Sequence, residues 1–394
     1  MIWISYLYLD IFLHKTSRIE ILEHLAKRGY NVYLIAVRSR RKYEPRNLNL
    51  HIISIPLRCV PAISRIVFVA ILLFFLPYYI TSLNPDFIVT DPDISIFGFI
   101  WAPLLSRIRR FKVVLDIRST PVETVGLIGY LQTFFFNVSV FFAKGFFDGM
   151  TIITPSMKKE ICDKFQIDPR FVGVWTSGVS PTLFNPKKYD KEATKLRRKN
   201  GLTGKFIVFH HGNFGLKRGI IECIKSIEIL KSKYPDLVLF LLGSGAALPE
   251  IEKIIQRKGI QDRVIIHSPV DYVEVPKYVA MCDIGIVPLP DSPEWRHQCP
   301  LKLLEYLSME KAVIVTDIPA HQEVIPKSKC GIYVSSATPI EIARAIAYAY
   351  NNKGRLKEFG SNGRAIISRK YTWNKVAEDF DNYLSALKSG SKKR

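Results

Sequence analysis

A length of 394 residues exceeds what one hydrophobic core usually serves, and an apolar share of 48% gives each of two domains enough to bury, which excludes a disordered chain. The formal net charge of +21 calls for an acidic partner; the densest basic cluster, Arg38, Arg40, Arg41, Lys42 and Arg46, lacks the interleaved aromatics of a nucleic-acid surface, so no nucleic acid is expected and anionic lipid or a phosphorylated substrate remains. Six scattered cysteines, with no C-x-x-C pair and no clustered histidines, argue against zinc and against a disulfide scaffold, and read as reduced thiols in the cytosol.

The first half alternates short apolar runs with longer amphipathic ones. Residues 2–7 read as a first buried strand and not as a signal peptide, having no basic n-region and no small-residue cleavage site. A helix is expected over 16–28, and strands over 32–37, 50–55, 87–90, 113–116 and 150–154. Strands separated by helical lengths imply parallel βαβ units in a doubly wound sheet. Two apolar stretches stand out. Residues 66–76 are uncharged and continue apolar to 80, short of the roughly 20 residues that span a bilayer, with Pro77 in the last turn. Residues 125–147 are apolar and aromatic, broken by Gln132, Asn137 and Lys144. Both fit helices lying in a membrane interface, with Arg58, Arg65 and Lys144 for anionic headgroups, and each alone fits a buried helix of an α/β domain as well. Taken with the net charge, monotopic attachment to the cytoplasmic membrane is the favoured expectation.

Residues 173–186, rich in Gly, Pro, Ser and Thr, precede the charged stretch 187–198 and read as a connection. The expected division is an N-terminal domain over 1–182, a C-terminal domain over 183–370, and a segment 371–394 whose helix packs back on the first domain and whose basic tail frays. Strands of the second half are expected over 206–209, 238–242, 264–266, 284–287, 312–316 and 331–334. The first of these runs into His211-Gly212-Asn213-Phe214-Gly215-Leu216-Lys217-Arg218-Gly219, a glycine-punctuated loop with two cations ahead of an amphipathic helix from Ile220. Gly212 has no Cβ to block a close approach and the helix start presents amides, so the three parts make a cradle for phosphate. Pro300-Leu301-Lys302-Leu303-Leu304-Glu305-Tyr306 sets a further cation and a carboxylate on another helix start. Cations for phosphates and an acid for hydroxyls suit a nucleotide sugar.

These pieces stand in order with Leu242-Gly243-Ser244-Gly245, Val264-Ile265-Ile266-His267 and Asp283-Ile284-Gly285-Ile286-Val287-Pro288. Together they resemble the nucleotide-sugar domain of the family 4 glycosyltransferases, whose GT-B fold has two Rossmann-like, doubly wound α/β domains facing a central cleft. The resemblance covers the second half well. In the first half it is architectural, with Thr176-Ser177-Gly178-Val179 and Phe184-Asn185-Pro186 similar to the family's inter-domain connection. It implies a donor-binding set of Gly212, Asn213, Lys217, Arg218, Pro269, Val270, Leu301, Lys302 and Glu305. Lys302 and Arg218, or its neighbour Lys217, would neutralise the diphosphate, Glu305 would take the ribose hydroxyls, and the turn at Ser268, Pro269 and Val270 the base. It also implies hexosyl transfer with retention, in which basic side chains do the work a metal does elsewhere, so that no metal or cofactor is required. The acceptor would be a glycan or a polyprenyl- or other lipid-linked molecule.

The pattern is also broken in places. The glutamate common eight positions before Glu305 is His297, with Glu294 nearby but out of register; the arginine often found after the loop glycine is Asn213. The glycine-rich loop after the first strand is replaced by Leu9-Asp10-Ile11-Phe12-Leu13-His14. Two rivals therefore stay open, a nucleotide-sugar 2-epimerase of the same fold and a catalytically silent partner subunit. A nicotinamide oxidoreductase is disfavoured because G-x-G-x-x-G follows neither first strand. Asp91-Pro92-Asp93 imitates a metal-binding D-x-D but ends a strand in the domain opposite the cradle, and reads as a loop or helix start. On the acceptor side, Asp116 and Arg118, in Asp116-Ile117-Arg118-Ser119-Thr120-Pro121-Val122-Glu123, are the candidate catalytic or acceptor-contacting pair; a purely structural Asp–Arg pair explains them equally well.

Overall fold

The computed structural model describes residues 1–8, 17–37, 44–57, 61–121, 126–327 and 329–390. Outside the described residues lie the basic cluster from 38 to 42, residues 9–14, Arg58, Val122, Glu123 and the end of the tail, 391–394. The chain divides into two compact units, Met1–Thr176 with Trp373–Arg394, and Ser177–Thr372. The division thus falls after Thr176, ahead of residue 182.

In the first unit, β1 (Ile2–Tyr8), β2 (Val32–Val37), β3 (Leu50–Ile55), β4 (Phe87–Thr90), β5 (Lys112–Ile117), β6 (Gly149–Ile152) and β7 (Val172–Val174) form one sheet in the order β3-β2-β1-β4-β5-β6-β7. Every pairing is parallel. β7 lies in the stretch read as a connection. Three residues are too few to show an alternation, and only pairing with β6 makes them a strand. The sheet is crossed by α1 (Ser17–Lys27), α2 (Pro61–Leu83), α3 (Ala102–Arg109), α4 (Gly126–Phe146) and α5 (Pro155–Phe165). β4 and β6 are buried along their whole length, as expected of parallel strands covered on both faces.

α2 is 23 residues long and runs through Pro77, so the expected short helix is corrected to one of bilayer-spanning length. It nevertheless lies on the sheet. Ser64, Phe68, Leu72, Leu76 and Ile80 recur every fourth residue, forming one narrow buried stripe.

The second unit holds β8 (Phe206–Asn213), β9 (Leu237–Ser244), β10 (Val264–His267), β11 (Ile284–Val287), β12 (Val313–Thr316) and β13 (Gly331–Val334), in the order β10-β9-β8-β11-β12-β13, again all parallel. Between them run α6 (Asp190–Lys199), α7 (Ile220–Leu230), α8 (Leu248–Lys258), α9 (Val275–Met281), α10 (Leu301–Ser308), α11 (Pro319–Val324), α12 (Pro339–Asn351) and α13 (Lys353–Lys370). A single apolar core joins β8, β9, α7, α8 and α12.

The last helix, α14 (Trp373–Lys388), belongs to the first unit. Its buried residues Trp373, Val376, Phe380, Leu384 and Leu387 keep the helical spacing of an inward face. Phe380 stacks on Trp175 at 5.3 Å and meets Trp3 edge-on at 5.8 Å. Tyr383 donates to Phe171 O at 2.8 Å and accepts from the Met150 amide at 3.0 Å, in a space that exists because Gly149 and Gly173 carry no Cβ.

Candidate functional site

The carboxyl ends of β8 and β9 lie very close together. Gly212 pairs with Gly243, and a Cβ on Gly243, at φ +152°, would run into Gly212 O. Beyond β8 the chain turns through Lys217 and Arg218 into α7, whose N-cap Gly219 has φ +72° and presses on Pro288 O at the end of β11. Neither α7 nor α10 carries a side-chain cap at its start. Both starts therefore suit an anion.

Lys302, in the first turn of α10, sends its ammonium back toward β8. Nζ donates to His210 Nε2 at 3.1 Å, and a Cβ on Gly212, at φ +113°, would stand 3.5 Å from Nζ. Arg218 lies over the Trp295 ring at 4.3 Å, and Trp295 Nε1 donates to Lys217 O at 2.7 Å, which pins the loop. Burial, followed by the charge of Lys302, holds His210 well below the ordinary histidine range, and Arg218 adds to the effect. Of the two cations, Lys302 is the one in contact with the imidazole. The Lys217 side chain is 61% exposed and its ammonium lies 3.7 Å from Glu294. Leu301 is partly buried and Asn213 is exposed at the strand end.

Glu305 is buried one helical turn beyond Lys302. Its Oε1 accepts from Tyr272 Oη at 2.7 Å, and its Oε2 lies 3.1 Å from His211 Nε2. The His211 amide donates to Tyr306 Oη at 3.2 Å. Pro269 is exposed and Val270 partly buried in the loop after β10. His210, His211, Tyr272 and Trp295 were not singled out from sequence. His211 opens the quoted motif and His210 directly precedes it, but nothing in their spacing says which way each faces; for Tyr272 and Trp295 the sequence carried no signal.

In the first unit, Asp116, the acceptor-side candidate, is fully buried. Its Oδ1 accepts from Thr151 Oγ1 at 2.7 Å and from Trp175 Nε1 at 2.8 Å, and burial pushes its pKa up against the pull of Arg118. Arg118 stacks on Trp175 at 3.4 Å and donates to Trp175 O at 2.6 Å. The two are joined through one indole. Asp91 and Asp93 are likewise engaged within the unit. Asp91 pairs with Arg18 at 2.7 Å and accepts from Ser5 at 2.6 Å, while Asp93 caps the 3-10 helix Ile94–Phe99 through the Ser95 amide. Among the described residues no group of three His, Cys, Asp or Glu side chains is placed to hold a metal ion.

The same unit exposes a broad apolar surface. α2 presents Ile63, Ile66, Phe74 (81% exposed), Phe75 and Tyr78; α4 presents Leu127 (74%), Ile128, Tyr130, Leu131, Phe134 and Phe141. The 3-10 helix touches both, since Gly98 lies against Leu72 of α2 and Phe97 meets Phe135 of α4 at 6.1 Å. From there Ile100, Trp101, Leu104 and Ile108 continue the exposed face along α3. Lys144 donates to Phe165 O at 2.9 Å and Arg65 lies over the Tyr6 ring. Both remain exposed, and further exposed cations of this region are Arg107, Arg109 and Arg110, at the end of α3, which the sequence reading passed over.

Residues 192–366 match the family model "Glycosyl transferases group 1". An alpha-D-kanosaminyltransferase of Streptomyces kanamyceticus is 24% identical over 188 residues, 47% of either chain. The putative teichuronic acid biosynthesis glycosyltransferase TuaH of Bacillus subtilis (strain 168) is 27% identical over 242 residues, 61% of this chain and 57% of that one. The chain thus spans about half the length of these curated relatives. The crystal structure of Anabaena Alr3699/HepE in complex with UDP shares the fold, with a TM-score of 0.74 over 98% of this chain and 99% of that one at 14% identity. The glycosyltransferase group 1 segment thus lies within the Ser177–Thr372 unit of a two-unit α/β chain of GT-B fold.

Proposed function

We propose that the chain is a hexosyltransferase. It moves a sugar, with retention at the anomeric carbon, from a nucleoside diphosphate donor held by the Ser177–Thr372 unit to a glycan or lipid-linked acceptor at an anionic membrane surface. The observation that carries the reading is the Lys302 ammonium beside Gly212, with Arg218 acting on the same His210. As the bond to the sugar breaks, negative charge grows on the departing diphosphate. Fixed cations and two helix starts stabilise that charge more than the ground state, so the basic side chains supply what a metal supplies elsewhere and none is required. Glu305 takes the ribose hydroxyls, sharing its oxygens with Tyr272 and His211, and the loop at Pro269 and Val270 takes the base. Asp116 and Arg118 enter as supports of Trp175 and not as reacting groups. The UDP in complex with the Anabaena protein supports a nucleoside diphosphate donor.

Membrane attachment rests on the exposed face shared by α2, the 3-10 helix, α3 and α4. Each long helix keeps a buried stripe on the sheet, which suits lying in the interface and not crossing it. Arg107, Arg109 and Arg110 complement anionic headgroups, which favours a peripheral position on the cytoplasmic face of the membrane. The test is transfer by the purified chain from UDP-, GDP-, ADP- and dTDP-hexoses, with and without extracted membrane lipid. Product is expected only with acceptor present. Conversion of the donor alone would make the chain an epimerase, and absence of any donor binding would make it a silent subunit. Flotation with phosphatidylglycerol vesicles and not with phosphatidylcholine vesicles checks the membrane part.

A further inference from the structure

His210 sits one residue before the last buried position of β8, which is His211, and is itself buried. Its Nδ1 lies 3.1 Å from Ile286 O on β11. A carbonyl only accepts, so Nδ1 carries the proton, and in the neutral ring Nε2 is left as a lone pair. An ammonium only donates, so the 3.1 Å contact runs from Lys302 Nζ to that lone pair. The strand pairing of β8 with β11 therefore fixes the tautomer, and the tautomer fixes what the ring can do for the lysine. Lys302 is partly exposed at the start of its helix. An unbranched lysine in such a place would otherwise spread over many rotamers.

We infer that His210 is a positioning residue for Lys302: its Nε2 lone pair holds the ammonium beside Gly212, ready for a diphosphate. The imidazole is an acceptor that cannot compete as a second cation, because protonation would set two positive charges in contact inside a buried site. The role comes from the contacts of this chain. The inference rests on the donor-site reading, and its logic is that of second-layer partners that orient a working group.

The experiment separates the two nitrogens. An asparagine at 210 reaches about as far as Nδ1 and can keep the bond to Ile286 O while losing Lys302; a glutamine reaches about as far as Nε2. Thermal-shift titrations with UDP, GDP, ADP and dTDP, and with the matching nucleosides, are run on wild type, His210→Asn, His210→Gln, Lys302→Ala, and His210→Asn combined with Lys302→Ala. His210→Asn is expected to weaken the preferred diphosphate about tenfold, to leave its nucleoside unchanged, and to add less than about twofold when Lys302 is already alanine. His210→Gln is expected to stay within about threefold of wild type. Equal losses in both lysine backgrounds, or equal losses for nucleoside and diphosphate, overturn the inference while leaving the donor site standing. A wild type that binds none of the four diphosphates overturns the donor reading, and this inference with it.

Discussion

The two units are built alike and differ in what they leave facing outward. In the Ser177–Thr372 unit, α8 buries Ile251, Ile254 and Ile255 and turns Glu250, Glu252, Lys253 and Arg257 to solvent. In the first unit, α2 and α4 bury a comparably narrow stripe but turn Phe, Leu, Ile and Tyr outward. The inward stripe is enough to seat a helix on a sheet; the outward face is then free to carry a second property. One unit uses that freedom for solubility around a phosphate cradle, the other for an apolar surface edged with arginines.

Units that differ in this way should respond differently to the same kinds of change. The largest expected effect is that of Lys302→Ala, which should lower kcat/KM by a factor on the order of 10²–10³ while moving Tm by no more than about 2 °C. A loss of Tm that matches the loss of rate would turn the cradle into a structural element. Acidification comes next. Burial drives His321, in the second unit, down to about 4 from an ordinary 6.5. It therefore stays neutral in the fold while the unfolded chain takes up a proton, so stability present above pH 6.5 is lost as pH falls toward 4, by roughly 3 kcal/mol. Asp91, in the first unit, is pushed up to about 7 by burial and has the opposite sign, its contribution being present below about 4 and lost as pH rises through 7. Amide exchange should show β12 and α11 losing protection before β4 on acidification; uniform loss across both sheets would contradict the assignment.

The combined change Phe74→Asp, Trp101→Asp and Leu127→Asp places one charge on α2, one between the 3-10 helix and α3, and one on α4. It should reduce partition onto phosphatidylglycerol vesicles by at least about tenfold without lowering Tm, because none of the three is buried. Collapse of the fold would mean that these faces are packed in solution. The smallest effect is expected of Tyr272→Phe, which removes the donor to Glu305 Oε1. Donor affinity measured by titration should fall only about threefold to tenfold, in line with one hydrogen bond of ordinary net strength, and an unchanged affinity would remove Tyr272 from the site.

Much of this frame was legible in the residues. Strands at 32–37, 50–55, 87–90, 284–287 and 331–334 coincide with the observed ones, because a short apolar run between polar turns has little choice in a parallel sheet. β7 was lost because its identity comes from its neighbour. The full length of α2 was missed because a proline in an apolar helix ends it only when nothing else holds the following turn; here Ile80 remains buried. At the site, Lys302, Gly212 and Arg218 were legible from a loop and a helix start. What distinguishes Arg218 from Lys217 came only with Trp295, which stacks on one and hydrogen-bonds the backbone of the other. Asp116 reads as a chemical group at a strand end, and only its partners Thr151 and Trp175 show that it faces inward.

Residue order alone was enough for two parallel sheets and for a basic, glycine-lined turn after the first strand of the second one, because periodicity and the lack of a Cβ act locally on the backbone. Packing had to decide which cation stands beside that turn, which nitrogen of His210 bears the proton, and that the 3-10 helix joins two apolar helices into one surface. Those outcomes depend on distances between residues far apart in the chain, and a distance of that kind exists only once the sheet has set its register.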